Sequence, residues 1–250
     1  MRARGTDDEL GIPDPRKTPE NPGDPTMLTD SALLHEMQTA GVFLDSLGRF
    51  NDITGFLHPL EGFALMRLAA SGEGVGEIVE IGSFMGRSTA WLATGSMRAG
   101  REKVHAIDHF KGSPEHQQGQ KWEVPEIVQS GSTLERFREN ITKAGVASHV
   151  EPMVCSSAEA AAKWDRPVRL LFIDGDHSYE ASRCDFEAWA RFVVPRGYIA
   201  FHDIGSWEGV TRFFGELAQT TTEFRQVLAV NSLRVVQRIA APAGAMRKSA

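Results

Sequence analysis

Several things are scarce in this chain of 250 residues. It has two cysteines, Cys155 and Cys184, which form neither a CxxC pair nor a metal-ligand spacing. That excludes a disulfide framework and a zinc ribbon, reads each residue as a buried thiol, and suits a reducing cytoplasm. No run of basic residues breaks the acidic balance of −6, which counts against nucleic acid and anionic membrane as partners. No apolar stretch approaches the length of a membrane span, and no signal peptide is visible. The expectation is a soluble, cytoplasmic protein. Internal repeats are missing. So are two glycine signatures, the G-x-G-x-x-G of dinucleotide folds and the G-x-x-x-x-G-K-[ST] phosphate loop. With 41% hydrophobic residues, the chain can bury one ordinary α/β core.

What is present starts at Ile78–Thr89, I-V-E-I-G-S-F-M-G-R-S-T. Ile78, Val79 and Ile81 read as a strand buried on both faces. Gly82 ends it, and a helix starts after Gly86. A strand, a glycine turn and a helix N-terminus make a cofactor site, because glycine lets backbone approach a ligand and the first-turn N–H groups face an anion. The spacing is E-x-G-x-x-x-G, with Glu80 inside the strand. It resembles the first motif of class I S-adenosylmethionine (AdoMet) methyltransferases. The resemblance implies that Glu80, directly or through water, meets the methionine amino end. It also implies that Gly82, Ser83, Gly86 and Ser88 surround the carboxylate.

Along the chain, residues 1–27 carry five prolines among charges and form a flexible arm. Helices are predicted from Ser31 and from Pro59 to about Ala70, leading into a single domain over 28–240, with a polar tail at 241–250. His58 and Glu61 at the second helix start read as exposed caps. Strand two, Val104–Ile107, ends in Asp108, placed to accept both ribose hydroxyls. Phe110–Gly131 is long and irregular, and its length suggests a lid over the cavity, holding His116 and Trp122. Ser132–Glu135 has the form of a capping box. Strand three, His149–Cys155, is followed by Ser157. That residue sits where the superfamily contacts adenine; the competing reading is a helix cap. Strands four (Val168–Ile173) and five (Tyr198–Phe201, after a turn at Pro195–Gly197) precede a final hairpin, Phe224–Val230 and Leu233–Ile239. The alternation predicts a doubly wound, mostly parallel seven-stranded sheet closed by an antiparallel hairpin, a Rossmann-like methyltransferase fold.

A second constellation stands at two strand ends. I-D-G-D-H-S-Y-E carries Asp174, Asp176, His177 and Tyr179, and F-H-D carries His202 and Asp203. Neighbouring strands would bring these together beside the cofactor. Two carboxylates and an imidazole suit a divalent cation. The paired signatures, with the upstream glycine motif, resemble a bacterial family related to macrocin and sugar O-methyltransferases. In metal-dependent relatives, residues at the places of Asp174, His202 and Asp203 bind Mg; His202 departs from the acid usual there. His177 is the candidate base, with Asp174 beside it; the competing reading makes His177 a cap before the helix, and Asp176 a turn acid. The resemblance implies AdoMet-dependent methyl transfer to a hydroxyl of a small molecule, a sugar or natural-product scaffold, with metal assistance. An NAD-type oxidoreductase and a non-catalytic AdoMet-binding protein are the alternatives. The arm, leading helices and acidic charge suggest a homo-oligomer.

Overall fold

The computed structural model describes residues 30–239, so the expected arm at 1–27 and tail at 241–250 lie outside the described residues. The chain divides into two units, residues 1–42 and 43–250. Helix α1, Asp30–Phe50, begins in the first, where Leu33, Leu34 and Met37 are exposed. Everything that follows belongs to the second unit.

That unit alternates β1 (Glu77–Ile81), β2 (Val104–Asp108), β3 (Val150–Val154), β4 (Val168–Ile173) and β5 (Val193–Phe201) with helices, and closes on β6 (Phe224–Val230) and β7 (Leu233–Arg238). The sheet order is β3-β2-β1-β4-β5-β7-β6. The first five strands pair in parallel, and β7 runs antiparallel between β5 and β6. This is the predicted fold. β1 and β4 are buried along almost their whole length, which is why they read as unbroken apolar runs instead of alternating ones. One set of side chains, among them Val79, Leu171, Ile199 and Phe201, packs with α6 (Ser157–Ala162), α7 (Tyr179–Trp189) and α8 (Glu208–Thr220). The alternate set, including Ile78 and Glu80, faces the other side, where α3 (Arg87–Arg98) packs closely on α2 (Pro59–Ser71).

Four local expectations change. The Ser132–Glu135 capping box does not form: the helix α5, Leu134–Lys143, is capped by Thr133 in helical conformation, whose hydroxyl donates to the Phe84 carbonyl instead. Pro195–Gly197 lies inside β5 as an irregularity, with Arg196 at φ +66°, because β4 pairs with the strand on both sides of it. The third strand stops at Val154, before Cys155. Neither thiol is buried: Cys184 is exposed on α7, and Cys155 is half-buried at the β3 end.

Candidate active site

A cavity of about 520 Å³ opens at the carboxyl ends of β1, β2, β4 and β5, where open α/β sheets bind ligands. On the β1 side Gly82 has φ +84°, and a methyl group there would run into the Asp174 carbonyl. Only glycine allows the two strand ends to approach this closely. Gly86, at φ +89°, is off the cavity wall; a side chain there would press on Phe137 and Ile141 of α5. Its glycine therefore serves packing.

Glu80 is fully buried behind that wall. Its Oε2 accepts from the Ser83 hydroxyl (2.9 Å) and the Thr89 hydroxyl (2.5 Å), and Ser88 bonds it as well. Burial pushes its pKa up to about 7 against those hydrogen bonds. Oε1 is buried without a partner. Ser83 and Ser88 line the cavity while Glu80 does not, so these hydroxyls stand between it and any ligand. Asp108 lines the cavity too. Its two oxygens accept from the backbone N–H groups of Phe84 (2.8 Å) and Phe110 (2.6 Å), which aim the carboxylate.

At the β3 end the helix cap is Ser156, in a capping box with Glu159. Ser157 is the first helical residue; it lines the cavity and accepts from the Trp189 indole N–H at 2.9 Å. Asp185 of α7 joins this wall, its pKa raised by burial to about 6.

The β4 and β5 ends form the opposite wall. Asp176 accepts from the Ser178 N–H at 2.8 Å, a turn acid, and Ser178 caps α7. Asp203 sits at φ +62°, a conformation that aspartate tolerates at some cost and that marks functional sites more often than chance. Its Oδ2 lies 2.9 Å from His177 Nε2, and Glu115 Oε1 lies 3.0 Å from His177 Nδ1. The Trp207 indole stacks on the same imidazole, centroids 4.4 Å apart and planes 11° apart. Burial lowers the pKa of His177, but the Asp203 hydrogen bond and the Asp174 and Glu115 charges outweigh it and raise the value. Burial likewise opposes ionisation of Asp203, yet His177 and His202 hold its pKa well below the carboxylate range.

His202 is used differently from a ligand. Its Nδ1 lies 3.0 Å from Asp174 Oδ1 and its Nε2 lies 3.0 Å from Glu61 Oε2. Glu61 and Asp174 hold one nitrogen each, Asp203 Oδ1 lies 3.5 Å from Nδ1, and the ring is 3% exposed, an environment that favours the doubly protonated form. Burial works against that charge, and Asp174, Asp203 and Glu61 overcome it, holding the pKa far above the imidazole range. Both ring nitrogens are thus engaged by carboxylates of the chain itself. Among the described residues, those that bring ligand atoms within 4.8 Å of one another are Asp174, His177 and Asp203.

Glu61, Glu115 and Trp207 are absent from the expected site. Glu61 does form the capping box with His58, but it is only 1% exposed. Its other oxygen takes both the N–H and the hydroxyl of Ser232 at 2.8 Å, tying α2 to the β6–β7 turn. Its pKa is drawn down to about 2 by His202 and these donors, against the effect of burial. Glu115 lies in the stretch expected as a lid. With His116 and Trp122 it borders the cavity, and His116 stacks between Phe84 and Phe56 at 5.3 and 6.1 Å. Trp207, four residues past Asp203, was within reach of sequence reasoning as an aromatic beside the strand end.

A family model described as a methyltransferase domain matches residues 79–204. The solved O-methyltransferase NovP superposes with a TM-score of 0.59 at 17% identity, covering 84% of this chain and 100% of that one. An O-methyltransferase from Bacillus cereus, in complex with SAH, gives 0.51 at 18% identity over 82% of this chain and 91% of that chain. TomG from Streptomyces achromogenes, in complex with SAM, gives 0.51 at 18% identity over 82% and 90%. Among curated proteins, the uncharacterised y4gI of Sinorhizobium fredii is 40% identical over 57 residues. That match spans 22% of this chain and 6% of the other protein's length.

Proposed function

The chain belongs to the methyltransferase domain family, as a class I AdoMet-dependent methyltransferase, and from that premise we propose that it methylates a hydroxyl of a small molecule, a sugar or natural-product scaffold. One observation carries the reading: a single cavity has the Gly82 turn and Asp108 on one wall and His177, held between two carboxylates, on the other. Solved relatives described as acting in tomaymycin synthesis and as a calicheamicin methyltransferase support the natural-product class. The aromatic rings of Phe56, Phe84 and Trp122 beside the cavity fit an acceptor with a flat or apolar face.

The residues present suit AdoMet. Asp108 would accept the ribose hydroxyls, and Ser83 and Ser88 would meet the amino-acid end, their hydroxyls held from behind by Glu80. Ser157 and Asp185 line the cavity where the adenine would lie. AdoMet, when bound, supplies an electrophilic methyl on a sulfonium. Positioning the acceptor in line with it is the work of the cavity walls. His177 takes the acceptor's proton, and Asp203 stabilises the imidazolium that results.

Asp174 and Asp203 also offer two hard oxygens to a divalent cation at the cavity wall. Asp174 and Asp203 would hold the ion, which would lower the pKa of an acceptor hydroxyl; His202 stays outside as a neighbouring cation, and His177 keeps the role of base.

Calorimetry with AdoMet and with NAD tests the cofactor. Methyl transfer to hydroxylated sugars and catechols, before and after exhaustive chelation, tests the rest. Chelation is expected to suppress turnover with AdoMet affinity kept, and His177→Ala to lower kcat by roughly 10²–10⁴-fold. Full activity without metal refutes the cation; binding without transfer to any hydroxyl returns the non-catalytic reading. No helix among the described residues is long and apolar enough to cross a membrane. A cytoplasmic homo-oligomer remains part of the proposal, and light scattering showing a monomer would remove the second half of it.

A further inference from the structure

We propose that the acceptor bound in this cavity is a phenolic ring, and that Phe56 and Trp122 are the residues that select it over a sugar. The inference rests on the O-methylation reading and narrows its acceptor to one chemical class.

Two chain segments build an aromatic wall. Phe56 stands in the connection between α1 and α2, and Trp122 in the loop between β2 and α4 (Pro125–Ser130). Their rings meet edge to face, centroids 5.7 Å apart. The His116 ring lies parallel to that of Phe56, 6.1 Å away and 4° off its plane, with Phe84 5.3 Å from His116. His116 joins this stack as a neutral ring: its Nδ1 accepts the Ser113 N–H at 3.2 Å, and burial holds its pKa below the usual value. All four residues line the cavity. Phe56 is nevertheless 61% exposed and Trp122 42%. Aromatic surface left in water on a cavity wall is stabilised when a flat apolar ligand covers it.

The wall is ordered before any ligand arrives. Arg87 of α3 donates to the Gly55 carbonyl at 2.7 Å and to the Asn51 carbonyl at 2.9 Å, fixing the turn that carries Phe56. Gly55 packs against the stem of that arginine, where an added Cβ would sit 3.1 Å from it. The Trp122 N–H donates to the Glu115 carbonyl at 3.3 Å, and the Val124 N–H to the His116 carbonyl at 3.0 Å, which ties Trp122 to the turn holding His116. Side chains already held in place lose less freedom on binding.

The polar groups count against a sugar. A sugar also lays its C–H bonds on aromatic rings, but its remaining hydroxyls need partners once buried. Among the described residues, the cavity lining holds no asparagine, glutamine, lysine, threonine or tyrosine, and its one arginine is Arg87, engaged by the Asn51 and Gly55 carbonyls. The charged side chains at the β4 and β5 ends bond to one another: Glu115 and Asp203 to His177, and Asp174 to His202. Such a lining leaves few partners for a polyhydroxylated ring. A phenolic ring needs partners only at its hydroxyls, and its faces need none.

The test is calorimetry on full-length protein saturated with S-adenosylhomocysteine, so that nothing turns over, with two uncharged probes, 2,3-dihydroxynaphthalene and methyl glucoside. The diol is expected to bind more tightly than the glucoside. Phe56→Ala and Trp122→Ala should each weaken the diol about threefold to tenfold, the usual worth of an aromatic contact, and Trp122→Phe should keep most of its affinity. Unchanged S-adenosylhomocysteine affinity in each variant shows that the fold is intact. A glucoside bound as tightly as the diol overturns the inference, as does a diol that fails to bind or whose affinity survives both alanine changes together. A diol that is bound and selected as expected, yet never methylated when AdoMet replaces the product, sinks the O-methylation reading and leaves the aromatic site standing. A protein that binds no S-adenosylhomocysteine sinks the AdoMet reading, and the same titrations on ligand-free protein then decide the aromatic site by the same criteria.

Discussion

Replacing Glu80 by glutamine should change how stability depends on pH, and the structure sets the size of the change. Glu80 is fully buried, and burial raises its pKa from the ordinary 4.5 to about 7. Between those values the folded chain holds a proton that the unfolded chain has released. Stability therefore falls as pH rises: the contribution is fully present below about 4.5 and is lost as pH passes about 7. A shift of that size corresponds to roughly 3 kcal/mol. Glutamine cannot ionise, so its variant escapes the loss. Its carboxamide oxygen still accepts from Ser83 and Thr89, while its NH₂ takes the place of the unpartnered Oε1. That misfit costs about 1–3 kcal/mol, but the cost is the same at every pH. The diagnostic quantity is the stability difference between the variant and the wild type as pH is varied. Urea unfolding of ligand-free protein, from about pH 4.5 to about pH 8, should show it rising by roughly 3 kcal/mol in favour of the glutamine. A difference that stays flat over this range would mean that Glu80 does not titrate there, and would refute the argument from burial.

Asp108→Ala removes a charged acceptor aimed by two backbone amides. AdoMet affinity should drop on the order of tenfold to a hundredfold, since charged hydrogen bonds contribute about 1.5–3 kcal/mol; equal affinity in calorimetry would take Asp108 out of the site. His202→Leu leaves Glu61 buried without its cation, which should cost about 3–5 kcal/mol in denaturant unfolding. Adding Glu61→Leu should restore part of that loss, and a double variant as unstable as the sum of the two singles would show that the pair is not coupled.

The elements of the sheet were legible because their signals are local. β1 and β4 are apolar runs bounded by turn residues, and α2 starts on a proline after a capping residue. Gly82, Asp108, Asp174, His177 and Asp203 all border the cavity, as the glycine turn and the strand-end rule require. Other signals depended on what lay opposite in space. Ser132–Glu135 has the letters of a capping box, yet Thr133 was drawn to the Phe84 carbonyl, 49 residues away. Glu61 looked like an exposed cap. It is a buried carboxylate because His202 lies 141 residues on and Ser232 lies 171 on, and both close over it. His202 read as a metal ligand by its place beside Asp203, but Glu61 of α2 puts a second carboxylate on its ring, which favours the protonated form. Glu115 meets His177 across 62 residues. Sequence periodicity determined which residues form strands and helices and which strand ends carry charge. The protonation state and the task of each histidine were decided by partners brought in by tertiary structure, because a charge answers to whatever lies within a few ångströms of it, whatever its distance along the chain.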